Sequence, residues 1–358
     1  MRGMALRPPP VRGSRLAEST LVYAGGRLAA DSASRIARRA DGLVLRGKSG
    51  AKLVRTLRKV APDVRIMFDP SLYERPPASQ LSLMASTESE LLRQTQMNPA
   101  AFLSPSRFVP EAERSALSDV LAEGDEFCRA ARSMRPLTPS LIVLPITKYW
   151  LTKGLDDLVN ALSATEERVA LVLGDQNDPL DGAEAVRGLV AVVASRQGIS
   201  LLRSDLAVLG AIAHGAEIGA IGTGTSVRHF VQPGKRGGGV PRDKTASTLV
   251  PALLSYVKGS KLGQVPESNP LLRCFCRVCE GQSLVRFGDE RLVAESHEHS
   301  VETWSRIAEQ IRETELRLRP RAWRSACQGA IEAHQELSVN SGVLFEASNQ
   351  LKAWAEEL

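Results

Sequence analysis

Three cysteines crowd into six positions of the segment LLRCFCRVCEGQSLVRF, and their spacing implies metal chemistry. Cys274, Cys276 and Cys279 form a Cys-x-Cys-x-x-Cys arrangement, which lets three thiolates converge on one ion from a single tight turn. Zinc takes sulfur and nitrogen ligands tetrahedrally, and a closed structural site needs a fourth ligand. The sequence therefore predicts a zinc site, with three buried free thiols as the alternative.

The fourth ligand is expected downstream, in AESHEHSVETWSRIAEQI. This segment has the pattern of an amphipathic helix, and His299 falls beside the apolar stripe that contains Trp304, so we favour His299 over His297. Three thiolates and an imidazole leave no open position for a catalytic water, so we expect the zinc to be structural. Cys128 and Cys327 stand alone and are interpreted as packing residues.

The composition of the 358 residues limits where such a protein works. Five cysteines are an odd number and a poor disulfide framework, which predicts a reducing, cytoplasmic setting. No apolar run approaches the roughly 20 residues that cross a bilayer, so we expect no membrane association. A formal charge of +6 is compatible with a nucleic-acid partner, although a mild excess of cations also occurs on ordinary surfaces.

Eight short apolar runs recur along the chain, with helical patterns between them. Apolar and polar residues do not alternate in these runs, as expected for parallel strands that are covered on both faces. The runs are LVYAGG from Leu21, GLVLRG from Gly42, VRIMFDP from Val64, AFLSPS from Ala101, LIVLPIT from Leu141, VALVLGD from Val169, ISLLRSD from Ile199 and EIGAIGTGTS from Glu217. Eight such strands predict an α/β fold of the (β/α)8 TIM-barrel type, with a doubly wound open sheet as the alternative.

The chain divides into three predicted parts. Residues 1–19 are basic and proline-rich and are expected to form a disordered arm. Residues 20–262 are predicted to form the barrel, and residues 263–358 a zinc-binding and helical C-terminal extension. The last helix, through LFEASNQLKAWAEEL, is amphipathic and is predicted to pack on the barrel or on another subunit, in a homodimer or with a different partner.

A barrel followed by this cysteine cluster resembles the queuine and archaeosine tRNA-guanine transglycosylase family, including relatives that insert deazaguanines into DNA. The likeness covers residues 20–315, and its specific motif is the set of four predicted zinc ligands. The resemblance implies a pentosyltransferase that exchanges guanine in tRNA or DNA for a deazaguanine.

In that family one aspartate follows strand three and a second, the nucleophile, follows strand eight. Asp69, in IMFDPS, stands at the first position, although the family's Asp-Ser-Gly-Gly is not kept. The segment AIGTGTSVRHF after strand eight carries no aspartate, whereas base exchange needs a carboxylate that forms the covalent glycosyl intermediate. Asp205 after strand seven or Asp175 after strand six is the remaining candidate, and helix capping is the alternative role of each aspartate.

The loop after strand eight has the chemistry of a phosphate site. Backbone N–H groups and hydroxyls that follow the last strands of a barrel often hold a phosphate, here that of a nucleic-acid backbone. The candidate residues are Thr223, Gly224, Thr225, Ser226, Arg228, His229, Lys235 and Arg236. Alternatively, the glycines only allow strand eight to close against strand one.

A second basic segment, IRETELRLRPRAWRSACQGAIEAHQ, places five arginines near Trp323. Such a segment could grip a nucleic-acid backbone and stack on a base. Alternatively, it is a solvated helix face anchored by Trp323.

Three functions therefore compete. The first is a base-exchanging enzyme with Asp69 and Asp205 as its acidic pair. The second is a non-catalytic nucleic-acid-binding or partner subunit that kept the barrel and the zinc. The third is a barrel enzyme that binds a small phosphate through GTGTS.

Overall fold

Eight parallel strands form one nearly closed barrel in a computed structural model that describes residue 16 and residues 18–25, 28–76, 87–235 and 243–356. The order of neighbours is β3-β2-β1-β8-β7-β6-β5-β4, and the N–H of Ala100 donates to the Ile66 carbonyl (2.8 Å) across the remaining seam. The strands are β1 (Ser19–Ala24), β2 (Leu43–Arg46), β3 (Ile66–Asp69), β4 (Phe102–Leu103), β5 (Ser140–Thr147), β6 (Arg168–Gly174), β7 (Ile199–Ser204) and β8 (Ile218–Gly222). The predicted barrel is confirmed, and the open sheet is excluded because the two end strands of this order, β3 and β4, meet at the seam.

Helices alternate with the strands and cover the barrel. They are α1 (Ala30–Arg39), α2 (Gly47–Val60), α3 (Thr87–Gln96), α4 (Arg114–Met134), α5 (Leu155–Ser163), α6 (Ala183–Ser195) and α7 (Ala207–Ala213). After β8 come an antiparallel hairpin and four helices: β9 (Ser247–Val250), β10 (Ser255–Lys258), α8 (Gly259–Leu262), α9 (Val293–Glu313), α10 (Arg319–Ser341) and α11 (Asn349–Ala355). Most of the predicted arm 1–19 lies outside the described residues, and Ser19 already belongs to β1.

The strands are apolar throughout because both of their faces are buried. In β1, Leu21 and Tyr23 point into the barrel interior, whereas Val22 and Ala24 pack in the layer between strands and helices. All four are at most 1% exposed. The absence of alternation in the sequence thus reflects two cores on opposite sides of each strand.

Helix α9 occupies the place of the eighth barrel helix, because it packs against α1 and α7. Its Trp304 is buried, and its Glu298 accepts a hydrogen bond from Arg35 of α1 (2.6 Å). The cysteine segment is therefore an insertion between β8 and this helix. The hairpin β9–β10 packs with the cysteine segment, so the boundary predicted at residue 262 divides elements that share one core.

The last two helices pack on the barrel. Trp323 is 2% exposed and meets Trp354 edge to face, with ring centroids 6.4 Å apart. A Cβ on Gly210 of α7 would lie 2.7 to 2.8 Å from these two side chains, so only glycine allows so close an approach. Trp323 is therefore an anchor, and its interpretation as a base-stacking platform is wrong. Among the described residues no helix has the length and apolar character that crossing a bilayer requires.

Candidate metal centre and barrel mouth

The four predicted metal ligands converge on one point. Nδ1 of His299 lies 3.5, 3.4 and 3.3 Å from the sulfurs of Cys274, Cys276 and Cys279. The candidate ligand atoms all lie within 4.8 Å of one another, and all four residues are buried. The structure therefore brings together a buried cluster that could bind a metal ion, with His299 rather than His297 as its histidine.

Backbone hydrogen bonds fold the cysteine segment into a tight knuckle. The N–H groups of Cys279 and Glu280 donate to the Cys276 carbonyl (3.1 and 2.9 Å), and that of Gly281 donates to the Cys274 carbonyl (2.8 Å). Glu280 and Gly281 both adopt positive φ, of 50° and 89°. This reversal places the three sulfurs on one side of the turn.

The ring of His299 is oriented by a second hydrogen bond. Its Nε2 lies 2.7 Å from the Leu249 carbonyl of β9, and because a carbonyl only accepts, Nε2 carries the proton. Nδ1 is then a lone-pair donor that faces the sulfurs, as in many metal sites. Hydrogen bonds from the thiols of Cys274 and Cys279 lower the pKa of Cys276, which favours a thiolate.

The donor set and spacing fit zinc. Zinc bonds of about 2.3 Å to sulfur and 2.0 Å to nitrogen in a tetrahedron separate the two donors by roughly 3.5 Å. The observed distances from Nδ1 of His299 to the three sulfurs, 3.3 to 3.5 Å, are close to that separation. Three thiolates and one imidazole complete a tetrahedral shell, so an ion here would hold the knuckle to helix α9 and leave no position for substrate.

A cavity of about 600 Å³ opens at the carboxyl ends of the barrel strands. Arg46, Gly47 and Ser49 line it from the start of α2, and Thr223, Gly224 and Ser226 line it from the loop after β8. His297, two residues before the candidate metal ligand His299, lines the cavity from α9. We call this cavity the barrel mouth. The residues around it offer hydroxyls, a guanidinium and the amino terminus of a 14-residue helix.

Asp69 ends β3 and is 1% exposed, inside a buried network below the mouth. Its Oδ2 accepts hydrogen bonds from the hydroxyls of Tyr23 (2.5 Å) and Tyr73 (2.7 Å), and its Oδ1 accepts one from the Ser71 N–H (2.7 Å). Burial raises the pKa of Asp69, and these hydrogen bonds only partly offset it. Asp69 is therefore a carboxyl that retains a proton to higher pH than usual.

Glu74 is the second carboxylate of this network. It accepts hydrogen bonds from Arg203 (2.6 Å) and from the Ser71 hydroxyl (2.8 Å), and it forms an ion pair with Arg46. Burial raises its pKa, but the two guanidinium groups outweigh burial, so the pKa of Glu74 lies below its usual value. Arg203 (φ 53°) and Ser71 (φ 57°) hold strained left-handed backbone on either side, a feature common at functional sites.

Asp205 and Asp175 lie away from this network. Asp205 accepts the Ala207 N–H (2.8 Å) at the start of α7 and lines a separate cavity, where Gln350 lies between it and Asp178. Asp175 accepts the N–H of the exposed Gln176 (2.6 Å). Asp69 does not line the Asp205 cavity, so the structure does not unite Asp69 and Asp205 as an acidic pair.

The remaining candidates after β8 are spread over several environments. Thr225 and Lys235 are exposed, and Arg236 lies outside the described residues. Arg228 lines the Asp205 cavity and not the mouth. Burial and Arg203 lower the pKa of His229, which favours its neutral form. Thr223, Gly224 and Ser226 are the predicted phosphate residues that the barrel mouth brings together.

Sequence reasoning missed the residues that complete the mouth network. Tyr23, Arg46 and Arg203 stand in the strands β1, β2 and β7, and Tyr73 and Glu74 follow β3. Their signal was a polar side chain at the carboxyl end of an apolar strand, which is where barrel sites form. Only the folded chain shows that these side chains meet.

No protein-family model matches the chain, and no curated protein does. One of the solved chains with structural similarity comes from a study of the tryptophan synthase α2β2 complex of Pyrococcus furiosus. It shares 13% identity over 57% of this chain and 87% of that chain, with a TM-score of 0.36. A likeness this weak implies nothing about activity, and the barrel fold is established by the strand order itself.

Proposed function

We propose that this chain is a transglycosylase-type barrel that exchanges guanine in a nucleic acid for a deazaguanine, with a structural zinc at the cysteine cluster. The observation that carries the proposal is the place of that cluster. It is inserted between β8 and the eighth barrel helix. This helix contributes His299 to the cluster and His297 to the barrel mouth. A barrel joined to a zinc-binding cysteine cluster is the architecture that the resemblance implies.

The two carboxyls below the mouth supply the chemistry of base exchange. Their environments shift the two pKa values in opposite directions, which is how paired carboxyls divide acid and nucleophile roles. The Glu74 carboxylate attacks C1′ of the sugar as the bond to guanine breaks, and guanine leaves with a proton from Asp69. The deazaguanine then displaces Glu74 from C1′ and returns a proton to Asp69.

The rim of the mouth fits a nucleic-acid backbone. Ser49, Thr223 and Ser226 provide hydroxyls, Arg46 a cation, and the amino terminus of α2 provides N–H groups for a phosphate. Phosphate contacts of this kind make binding weaker as salt increases.

A second candidate, a non-catalytic nucleic-acid-binding or partner subunit, is favoured by one observation. Arg46, Arg203 and Ser71 already engage both oxygens of Glu74, and Asp69 is fully enclosed. Attack by Glu74 requires the Arg46 ion pair to open. If it stays closed, the mouth binds nucleic acid without turnover.

Incubation with guanine-containing tRNA or DNA and a labelled deazaguanine tests both candidates. The enzyme incorporates label and forms an adduct that survives denaturant, and Asp69→Asn and Glu74→Gln each abolish incorporation. Asp175→Asn is the matched control and retains it, because Asp175 lies outside the mouth. Salt-sensitive retention of nucleic acid without incorporation supports the binding subunit instead. If the protein neither incorporates label nor retains nucleic acid, both candidate functions are overturned.

A further inference from the structure

A second cavity, of about 380 Å³, lies between the loops after β6 and β7 and the C-terminal segment. It is separate from the barrel mouth and falls within the size range of small-molecule sites. Charged side chains of both signs line it: Asp178, Asp205, Glu346, Arg228, Lys258 and Lys261. We call it the side cavity.

Two carboxylates of the side cavity share one neutral donor. Nε2 of Gln350, on α11, lies 3.5 Å from Oδ1 of Asp178 and 3.3 and 3.4 Å from the two oxygens of Asp205. Each carboxylate accepts one backbone N–H besides, from Leu180 and Ala207. Burial and the charge of Asp205 raise the pKa of Asp178 to about 7. These hydrogen bonds to the pair thus come from neutral donors, although the charge of Lys148 opposes the rise in the pKa of Asp178.

Arg228 supplies the opposite charge. It is 9% exposed, and its guanidinium carbon lies 3.4 Å from the ring centroid of Tyr256, which also lines the side cavity. Nε donates to the Gly222 carbonyl (3.4 Å), and the guanidinium also interacts with the Tyr256 hydroxyl. Nη2, however, is buried and has no hydrogen-bond partner in the part of the chain that the structure describes. Leaving a buried guanidinium N–H without an acceptor is costly, so Arg228 points to a missing acceptor.

We propose that the side cavity binds a small zwitterion of the amino-acid type. Its ammonium group would lie on the carboxylates of Asp178 and Asp205, and its carboxylate would accept from Nη2 of Arg228. A metal cation alone would leave Nη2 of Arg228 without an acceptor, and an inorganic anion alone would leave the carboxylate pair with hydrogen bonds from neutral donors only. This site is independent of the proposed base exchange, because it shares no lining residue with the barrel mouth.

Calorimetric titration of the full chain with each free L-amino acid tests the proposal. We expect at least one amino acid to bind, and methylamine, acetate, Mg²⁺ and inorganic phosphate each to bind at least about tenfold more weakly. Asp178→Asn is nearly isosteric and should weaken the binding by about tenfold or more, as should Arg228→Gln. Asp175→Asn is the matched control in the same loop and should leave affinity unchanged, because Asp175 does not line the side cavity.

Three results overturn the proposal: no amino acid binds at about 10 mM, the two variants bind with wild-type affinity, or Mg²⁺ or phosphate alone binds as tightly as the amino acid. If Arg228→Gln does not fold, Asp178→Asn and the comparison with methylamine and acetate still decide the question.

Discussion

His297 and His299 lie two residues apart on helix α9 and face two different sites. Nδ1 of His299 lies 3.3 to 3.5 Å from three sulfurs, whereas His297 lines the barrel mouth. Residues i and i+2 project from a helix about 200° apart, so one helix can serve both sites. The metal cluster therefore fixes the position of one wall of the barrel mouth.

The first prediction concerns the metal. We expect purified protein to contain one zinc per chain, and Cys279→Ala to lose it, because the remaining three ligands cannot complete the tetrahedron. The variant should melt roughly 3 to 4 °C lower, which corresponds to about 2 to 3 kcal/mol for a chain of 358 residues. Elemental analysis and thermal unfolding followed by circular dichroism measure the two effects.

Cys327→Ala is the matched control for this substitution. Cys327 is equally buried but stands alone on α10, so its loss removes packing and no ligand. It should keep the zinc and lose only about 1 kcal/mol. Absence of zinc from the wild-type protein, or zinc retained in Cys279→Ala at full stoichiometry, would contradict the assignment.

The second prediction is a pH dependence of stability from Asp178. Burial and Asp205 raise its pKa to about 7, and Asp181 adds to this, while the Leu180 N–H and Lys148 oppose it. The folded chain therefore binds a proton that the unfolded chain releases between about pH 4 and 7, so this group's contribution to stability falls as pH rises through that window. Asp178→Asn should remove the fall.

Urea unfolding at pH 5 and pH 8 measures the effect of Asp178. Between pH 5 and pH 8, the free energy of unfolding of the variant should rise by about 2 kcal/mol relative to that of the wild type. This figure is reduced because the Asp178 side chain is partly exposed. Asp175→Asn, which changes a half-buried carboxylate of the same loop that does not line the side cavity, should show little change. An equal difference between Asp178→Asn and wild type at both pH values would refute the pairing with Asp205.

Much of the fold could be predicted from local pattern. All eight strands were found, because burial on both faces leaves continuous apolar runs in the sequence. The place of helix α9 could not be found this way. Its apolar stripe, with Val301 and Trp304, predicts a helix but not that it returns past the cysteine insertion to pack on α1.

The metal cluster was predictable and the carboxylates were not. Three cysteines in six residues must lie close together whatever the rest of the chain does, and the helix pattern selected His299. Asp175 stood out because it follows β6 directly, but Asp178 is the residue that shares a hydrogen-bond donor with Asp205. That donor is Gln350, which lies 145 residues from Asp205 in the sequence. No local pattern encodes a contact of that range.

The last prediction concerns the attachment of the loop after β8 to the barrel. Phe230 covers Gly174 at the end of β6 and packs edge to face on Tyr73, and a Cβ at Gly174 would lie 2.3 Å from its ring. Gly174→Ala must displace a fully buried ring, so we expect a loss of about 1 to 3 kcal/mol in urea unfolding. Gly329→Ala on α10, where a Cβ meets nothing within 4 Å, should instead stabilise the chain by up to about 1 kcal/mol. Wild-type stability in Gly174→Ala would mean that Phe230 does not anchor this loop, and the Thr223–Ser226 wall of the barrel mouth would then lack its support.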